Sequence, residues 1–514
     1  MHLRIPEFKW FCMRKWFPGF IVVLSAMLSI GCASTRKAFD PDKKYAAAQL
    51  QQDYHYFRNI LEESHPSLYW FTSKDSMDYY FDAGYRGIRD SMSEPQFKNL
   101  LAYVISKIRC GHTTVKFSEQ YNDYLDTVRI PVFPLHLKVW PDSMTVITNL
   151  NRKDSILRRG TIVTGVNGWT TAQLTDTFFN YISGDGYTQT GKYQVLSNRG
   201  SFGNLYRNVL GLTPEFRITY RDADGAEKET VIPLYDPRAD TLNRGITRPP
   251  AGRQPRQAPQ PPMLNAVRSV QIDTTLSSAY MTVNTFARGN RLRGFFRRSF
   301  RELRKRNIQH LVVDVRSNGG GDAGISTKLT RYLTNKKFKL ADSLYTPRRT
   351  SHYTKYIQWQ PAYWVMMQAI TSKHKDGKYH FGYFERHYFK PKKKNHFNGD
   401  IYIITGGNSF SATTLFAGVL KGQENVKIVG EETGGGAYGN SAWMIPDVTL
   451  PNTHVRFRLP RFRLVMNKDL VKEGRGIIPD IEAAPTVETI RQGIDPKVDT
   501  VRKLIMQKSG VAHH

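Results

Sequence analysis

Cysteine is nearly missing, with Cys12, Cys32 and Cys110 the three examples in 514 residues. So few thiols supply neither a disulfide framework nor a cysteine-based metal site, and the fold must be held by core packing. Acidic residues are also scarce, 44 against 74 Lys and Arg, which leaves a formal charge of +30. An excess of that size attracts a chain to anionic lipid, polyanionic polysaccharide or nucleic acid. Zinc-finger spacing, an RNA-binding sheet signature and a basic zipper are all absent, and the charge is spread along the chain. No specific nucleic-acid partner is therefore expected. The glycine-rich run Asn318-Gly319-Gly320-Gly321 lacks the Gly-Lys-Ser/Thr ending of a phosphate loop, and no dinucleotide fingerprint occurs. No metal or organic cofactor is implied.

What is present begins with an export signal. Arg14 and Lys15 precede an apolar run, Phe17 to Ile30, that is short for a membrane span and ends at Gly31-Cys32. That ending resembles a bacterial lipoprotein processing box, which makes Cys32 the expected site of lipidation and places the protein in the cell envelope, anchored to membrane. A polar tether, 33–45, follows. Over 46–125 the stripes Tyr54, Phe57, Ile60, Leu61 and Leu100, Leu101, Val104, Ile105, Ile108 predict a small helical domain. Gly111 ends its last helix, and His112 is expected to start a strand. Taken alone, that histidine reads as a packed or solvated one. Residues 126–238 alternate as short strands, and Gly160 to Gly168, with its Asn167-Gly168 turn, resembles a PDZ-domain run. Such domains dock extended peptides by strand addition. A proline-rich linker, 239–266, separates this module from the rest.

The remainder, 267–485, alternates strand and helix, which predicts an α/β core with helices covering a sheet. The arginine-crowded face of the helix containing Phe295, Phe296 and Phe300 reads as solvated surface. An aromatic and basic insertion, 340–398, reads as a segment packed over the active site or as an outer helix pair with a basic loop tip. A C-terminal helix, 486–514, closes the chain. At the centre, the buried strand Ile401–Thr405 runs into Gly406-Gly407-Asn408, and a helix starts at Ser411. A hydroxyl at such a corner sits beside the free N–H groups of a helix start. Ser409 and Ser411 read either as helix caps or as an acyl-transfer nucleophile.

Several motifs in one order decide between these readings. Val312 to Gly321, Ser411 to Ala417, Ile428 to Thr433 and Gly476 to Asp480 together resemble the C-terminal processing and tricorn-type serine peptidases. The resemblance is strong over about 270–485. It implies a crotonase-like sheet with covering helices, and it makes Ser411, rather than Ser409, the nucleophile. It also implies oxyanion donors at Gly320 and Ala412, a base at His112, and an orienting acid at Glu473, with Asp480 as the fallback. The loop Thr433 to Asn440 contains no lysine, and Gly436 stands where the family's dyad lysine would be, so a Ser–Lys mechanism is not expected. Gly111 replaces the serine that precedes the tricorn histidine, so the relay is wired differently. The implied activity is cleavage of protein or peptide substrates by an exported, lipid-anchored serine endopeptidase with PDZ-like docking. The alternative is a catalytically inactive peptide- or lipid-binding surface lipoprotein on the same scaffold.

Overall fold

The computed structural model describes residues 39–240, 261–358 and 361–509. The segment expected to be an export signal, Cys32 and most of the proline-rich linker lie outside the described residues. Six strands make the central sheet: β1 (Arg268–Asp273), β2 (Ser278–Val283), β3 (His310–Asp314), β4 (Asp400–Thr405), β5 (Val426–Gly430) and β6 (Ile481–Glu482). They lie side by side in chain order, with β1 antiparallel to β2 and every later pair parallel. Parallel neighbours need crossovers, and α1 (Leu292–Lys305), α2 (Ala323–Leu333) and α3 (Ala412–Leu420) supply three of them.

The two-residue period of the strands sorts their side chains. Leu311, Val313, Ile401 and Ile403 face Phe296, Phe300, Leu329 and Phe416 of the three helices. Val312, Tyr402 and Ile404 face the other way and are covered by Val501 and Ile505 of the last helix, Pro496–Lys508. This C-terminal segment differs from the expected single polar helix. Gly493, at φ +73°, ends a first helix at Gln492, and the second buries an apolar stripe.

Three other bodies surround the sheet, so the architecture is mixed α/β with several sheets. Helices Ala47–Ser64, Lys74–Arg86 and Glu94–Lys107 pack Tyr54, Phe57, Phe81, Phe97 and Leu101 together with Val448, Val455 and Phe457 from far along the chain. Strands 135–139, 144–149, 162–166, 215–221 and 227–233 form an antiparallel sheet around Phe133, Val163, Phe178 and Phe216. Its Asn167-Gly168 turn has both residues at positive φ, +50° and +80°, as a tight hairpin requires. The insertion is not an outer helix pair. Its strands 343–346, 372–373 and 379–380 join Phe462–Val465 and Gly439–Ala442 in one antiparallel sheet, and Leu344 and Met367 pack against Leu415 of α3. It therefore lies over the start of α3.

Candidate active site

β4 ends at Thr405, and the chain turns through six residues before α3 begins at Ala412. Ser409 is fully buried in that turn. Its Oγ donates to the Val315 carbonyl (2.8 Å) and accepts from Gly406 N (3.2 Å), which ties the corner to the end of β3. Ser411 behaves differently. It sits at φ +60°, ψ −120°, and its side chain makes no capping hydrogen bond. Such angles cost a non-glycine residue on the order of 1–3 kcal/mol, and they persist only where the surroundings enforce them. The enforcement comes from Phe410 N donating to the Asn318 carbonyl (3.1 Å) and Gly435 N donating to the Ser409 carbonyl (3.2 Å). Ser411 opens into a cleft of about 650 Å³ with Gly321, Ala412, Leu415, Trp443 and Arg458 in its wall.

The turn after β3 supplies the facing backbone. Gly320 is at φ +98°, and a Cβ there would lie 2.7 Å from Ser411 Cβ and 3.0 Å from Ala412 N. Only glycine fits so close an approach. The N–H of Gly320, expected to be an oxyanion donor, donates to Asn318 Oδ1 (2.9 Å) in this structure. Asn318 is itself buried and donates from Nδ2 to the Val283 carbonyl (2.9 Å). Among the described residues, the amides of Ala412 and Gly321 make no hydrogen bond, and both residues line the cleft.

His112 arrives from about three hundred residues away. The strand that follows it is only Val115–Lys116, and His112 itself occupies a turn rather than the strand expected from sequence. Val115 pairs with Phe457 and Lys116 with Arg456, and Arg458 N donates to the Thr114 carbonyl (2.9 Å). This small sheet, made by the hairpin of 447–449 and 456–458, carries the histidine loop to the core. The imidazole is buried and packs on Phe410 with ring centroids 4.6 Å apart, one residue before Ser411. Neither ring nitrogen has a hydrogen-bond partner, so no bond to Ser411 Oγ is formed in this state. Burial, with help from the nearby Arg458 guanidinium, pushes its pKa down to about 3, so the ring is neutral at physiological pH.

The carboxylate expected to orient His112 is elsewhere. Glu473 is exposed and lies beside Arg475, whose guanidinium feels its charge, and it makes no contact with the imidazole. The fallback, Asp480, accepts from Lys421 Nζ and from Ile428 N, both at 2.7 Å, on the flank of the sheet. The buried acid behind the histidine loop is Asp185. Its Oδ1 accepts from Gly111 N (2.8 Å) and its Oδ2 from Gly436 N (3.3 Å), joining the residue before His112 to the loop behind Ser411. Burial outweighs these two bonds and lifts its pKa to about 6. The signal in the sequence was the run Ser183-Gly184-Asp185-Gly186, an acid between two turn-forming glycines. His65 adds a second brace. Its Nδ1 accepts from Ser67 N (3.2 Å), so Nε2 carries the proton given to Thr113 Oγ1 (2.8 Å). Gly111 has its own reason, since a Cβ there would stand 2.6 Å from Phe410 Cζ.

No cluster of His, Cys, Asp or Glu among the described residues could hold a metal ion. No lysine lines the Ser411 cleft among those residues.

Two solved structures of mature CPAF share this fold. The complex with lactacystin aligns at TM-score 0.61 and 15% identity, and the mature protein alone at 0.60 and 15%. Each covers 91% of this chain and 99% of its own. The tricorn protease aligns at TM-score 0.40 and 14% identity over 90% of this chain and 37% of its own. No curated protein matches the chain by sequence. Residues 277–483, from β2 to the end of β6, match the family described as Peptidase family S41. Over that span the chain is similar to peptidase family S41.

Proposed function

We propose that the chain is a serine endopeptidase acting on protein or peptide substrates through Ser411 and His112. The observation that carries this reading is the strained Ser411 at the mouth of the cleft, with a buried, neutral imidazole packed at a tilt against the residue before it. Ser411 Oγ attacks the peptide carbonyl while its proton passes to a ring nitrogen of His112, and the same proton then goes to the leaving amine. The transfer requires a movement that brings a ring nitrogen of His112 to Ser411 Oγ, a bond that this state lacks. The negative oxygen of the tetrahedral intermediate is received by the N–H groups of Ala412 and Gly321, with Gly320 giving the space. Each such donor is worth roughly 3 kcal/mol in the transition state. Asp185 acts through the backbone, holding the His112 loop against Gly436. The absence of lysine from the cleft wall supports Ser–His over Ser–Lys chemistry.

The β-rich module supports PDZ-like docking by its place in the fold. Its helix Thr190–Ser197 packs on the catalytic corner, where a Cβ on Gly407 would touch the Thr190 carbonyl at 2.5 Å. A peptide added beside strand 135–139 would therefore be felt at the corner. Export and a lipid anchor at Cys32 belong to the same proposal, and loss of membrane fractionation in Cys32→Ala tests them.

The alternative, an inactive peptide- or lipid-binding scaffold, is favoured by one observation, the unpartnered His112 with Glu473 away from it. Intact mass after treatment with diisopropyl fluorophosphate separates the two readings. A single adduct mapped to Ser411 and lost in Ser411→Ala is expected. An unmodified protein that still binds peptides would favour the inactive scaffold.

A further inference from the structure

Arg293, Arg297 and Arg301 follow one another at four-residue spacing along the outer face of α1, and all three are exposed. α1 packs on α2, which adds Lys328 and Arg331 to the same surface. Arg331 Nε donates to the Lys390 carbonyl (2.7 Å), and Lys392 N donates to the Arg331 carbonyl (2.6 Å), so the basic run 390–394 is fastened there too. The neighbouring carboxylates are already engaged, Glu302 by Arg306 (2.6 Å) and Asp322 by Arg288 (2.5 Å). Among the described residues, Arg293, Arg297, Lys328 and Lys392 form no ion pair. Burial pushes the Lys328 ammonium below its usual range, and repulsion from Lys392, Arg293, Arg297 and Arg331 adds to the effect. Like charges held together without counter-ions destabilise a fold, and a polyanion relieves them.

This strip does not end on open surface. Arg293 and Arg288 also stand in the wall of the Ser411 cleft, with Arg458 in the same wall, and among the described residues the one carboxylate lining it is the engaged Asp322. Beside them the wall is apolar, with Ile370, Phe381 and Phe384 from the insertion. We propose that the strip is an exosite for an acidic stretch of the polypeptide substrate, whose adjoining apolar residues enter the Ser411 cleft. The inference rests on the peptidase reading. Continuity with the cleft favours a peptide over a lipid surface as the occupant. From Arg293 to Arg301 the helix rises about 12 Å, which roughly four extended residues span.

Quenched fluorogenic peptides test this with the full chain. They share one apolar segment and carry a run of about four Glu, Ser or Lys, on either side of it. The acidic peptide should exceed the serine peptide in kcat/KM by about 10-fold at low ionic strength. In molar salt, where the Debye length is about 3 Å, the ratio should fall to about 1. In R297E/K328E/R331E it should collapse to about 1 or invert at low salt. Equal kcat/KM for the three peptides would overturn the exosite. So would a ratio surviving the triple substitution in a protein that unfolds at the wild-type temperature. The salt series decides the matter if that variant does not fold. If no peptide is cleaved, the peptidase reading fails, and fluorescence anisotropy with Ser411→Ala still judges the strip: tighter binding of the Glu peptide than the Lys peptide keeps it, and equal binding removes it. Phosphatidylglycerol vesicles that float the wild type but not the triple variant, with peptide ratios unmoved, would replace the exosite with a membrane contact.

Discussion

The corner that carries Ser411 and the loop that carries His112 lie side by side but are held in different ways. Ser411 sits between consecutive elements of the central sheet, β4 and α3, and its backbone angles are enforced by the adjoining turn after β3. His112 has no such local frame. A two-residue strand paired with 456–457, Asp185 from the β-rich module and His65 from the helical body hold its loop. Ser411 is thus part of the core, and His112 is positioned by contacts that close only when three separate bodies have assembled. Damage to the first half should disturb stability and activity together. Damage to the second should disturb activity and pH response more than the fold.

The largest effect is expected on the nucleophile side. Gly320→Ala places a methyl at positive φ against Ser411 Cβ, and peptide turnover should fall by more than about 100-fold, with a loss of roughly 1–3 kcal/mol in denaturant unfolding. On the histidine side, Gly111→Ser should lower kcat about 10-fold or more by pushing Phe410. Partial recovery in Gly111→Ser/Phe410→Ala would show that the clash, and not a missing relay hydroxyl, is the cause.

Asp185→Asn comes next. An amide cannot accept at both ends, so one of Gly111 N and Gly436 N loses its partner, and activity should drop about 10-fold. The stability response has a definite sign. The folded pKa, about 6, lies above the unfolded value, so the protonated acid favours the fold. That contribution is fully present below about pH 4 and is lost as pH rises through about 6. His112 and His65, both lowered to about 3, run the other way, since each loses stability as pH falls from its unfolded value near 6.5. Comparison of wild type with Asp185→Asn between pH 4 and 6 by denaturant titration isolates the acid, and the difference should change by on the order of 2–3 kcal/mol. The smallest effect belongs to Glu473→Gln, an exposed side chain beside Arg475, for which kcat/KM should stay within about 2-fold. A drop of 100-fold would mean that the carboxylate moves onto His112 when substrate binds.

The same contrast governs what was legible in the sequence. The strand–helix alternation over 267–485, the strand before Gly406 and the corner at Ser411 follow from local pattern, and the structure has them at those positions. Asp185 was missed because its role is made by Gly111 and Gly436, 74 and 251 residues away. The expectation for Glu473 rests on the resemblance of its flanking run, which carries no information on where the side chain points. The strands of the insertion escaped notice because their partners, 439–442 and 462–465, follow much later in the chain. The Gly320 amide, which the resemblance offers as an oxyanion donor, is taken by Asn318 Oδ1, a side-chain acceptor within the turn itself.

The account stands or falls on whether the imidazole beside Phe410 serves Ser411. The most direct measurement is the second-order rate at which a fluorophosphonate labels Ser411 in wild type and in His112→Ala, with folding confirmed by thermal unfolding. A fall of at least about 100-fold in His112→Ala is predicted, with labelling in wild type maintained across neutral pH because the buried ring stays uncharged. Equal rates in the two proteins would contradict the pairing and leave Ser411 to be activated by some other group.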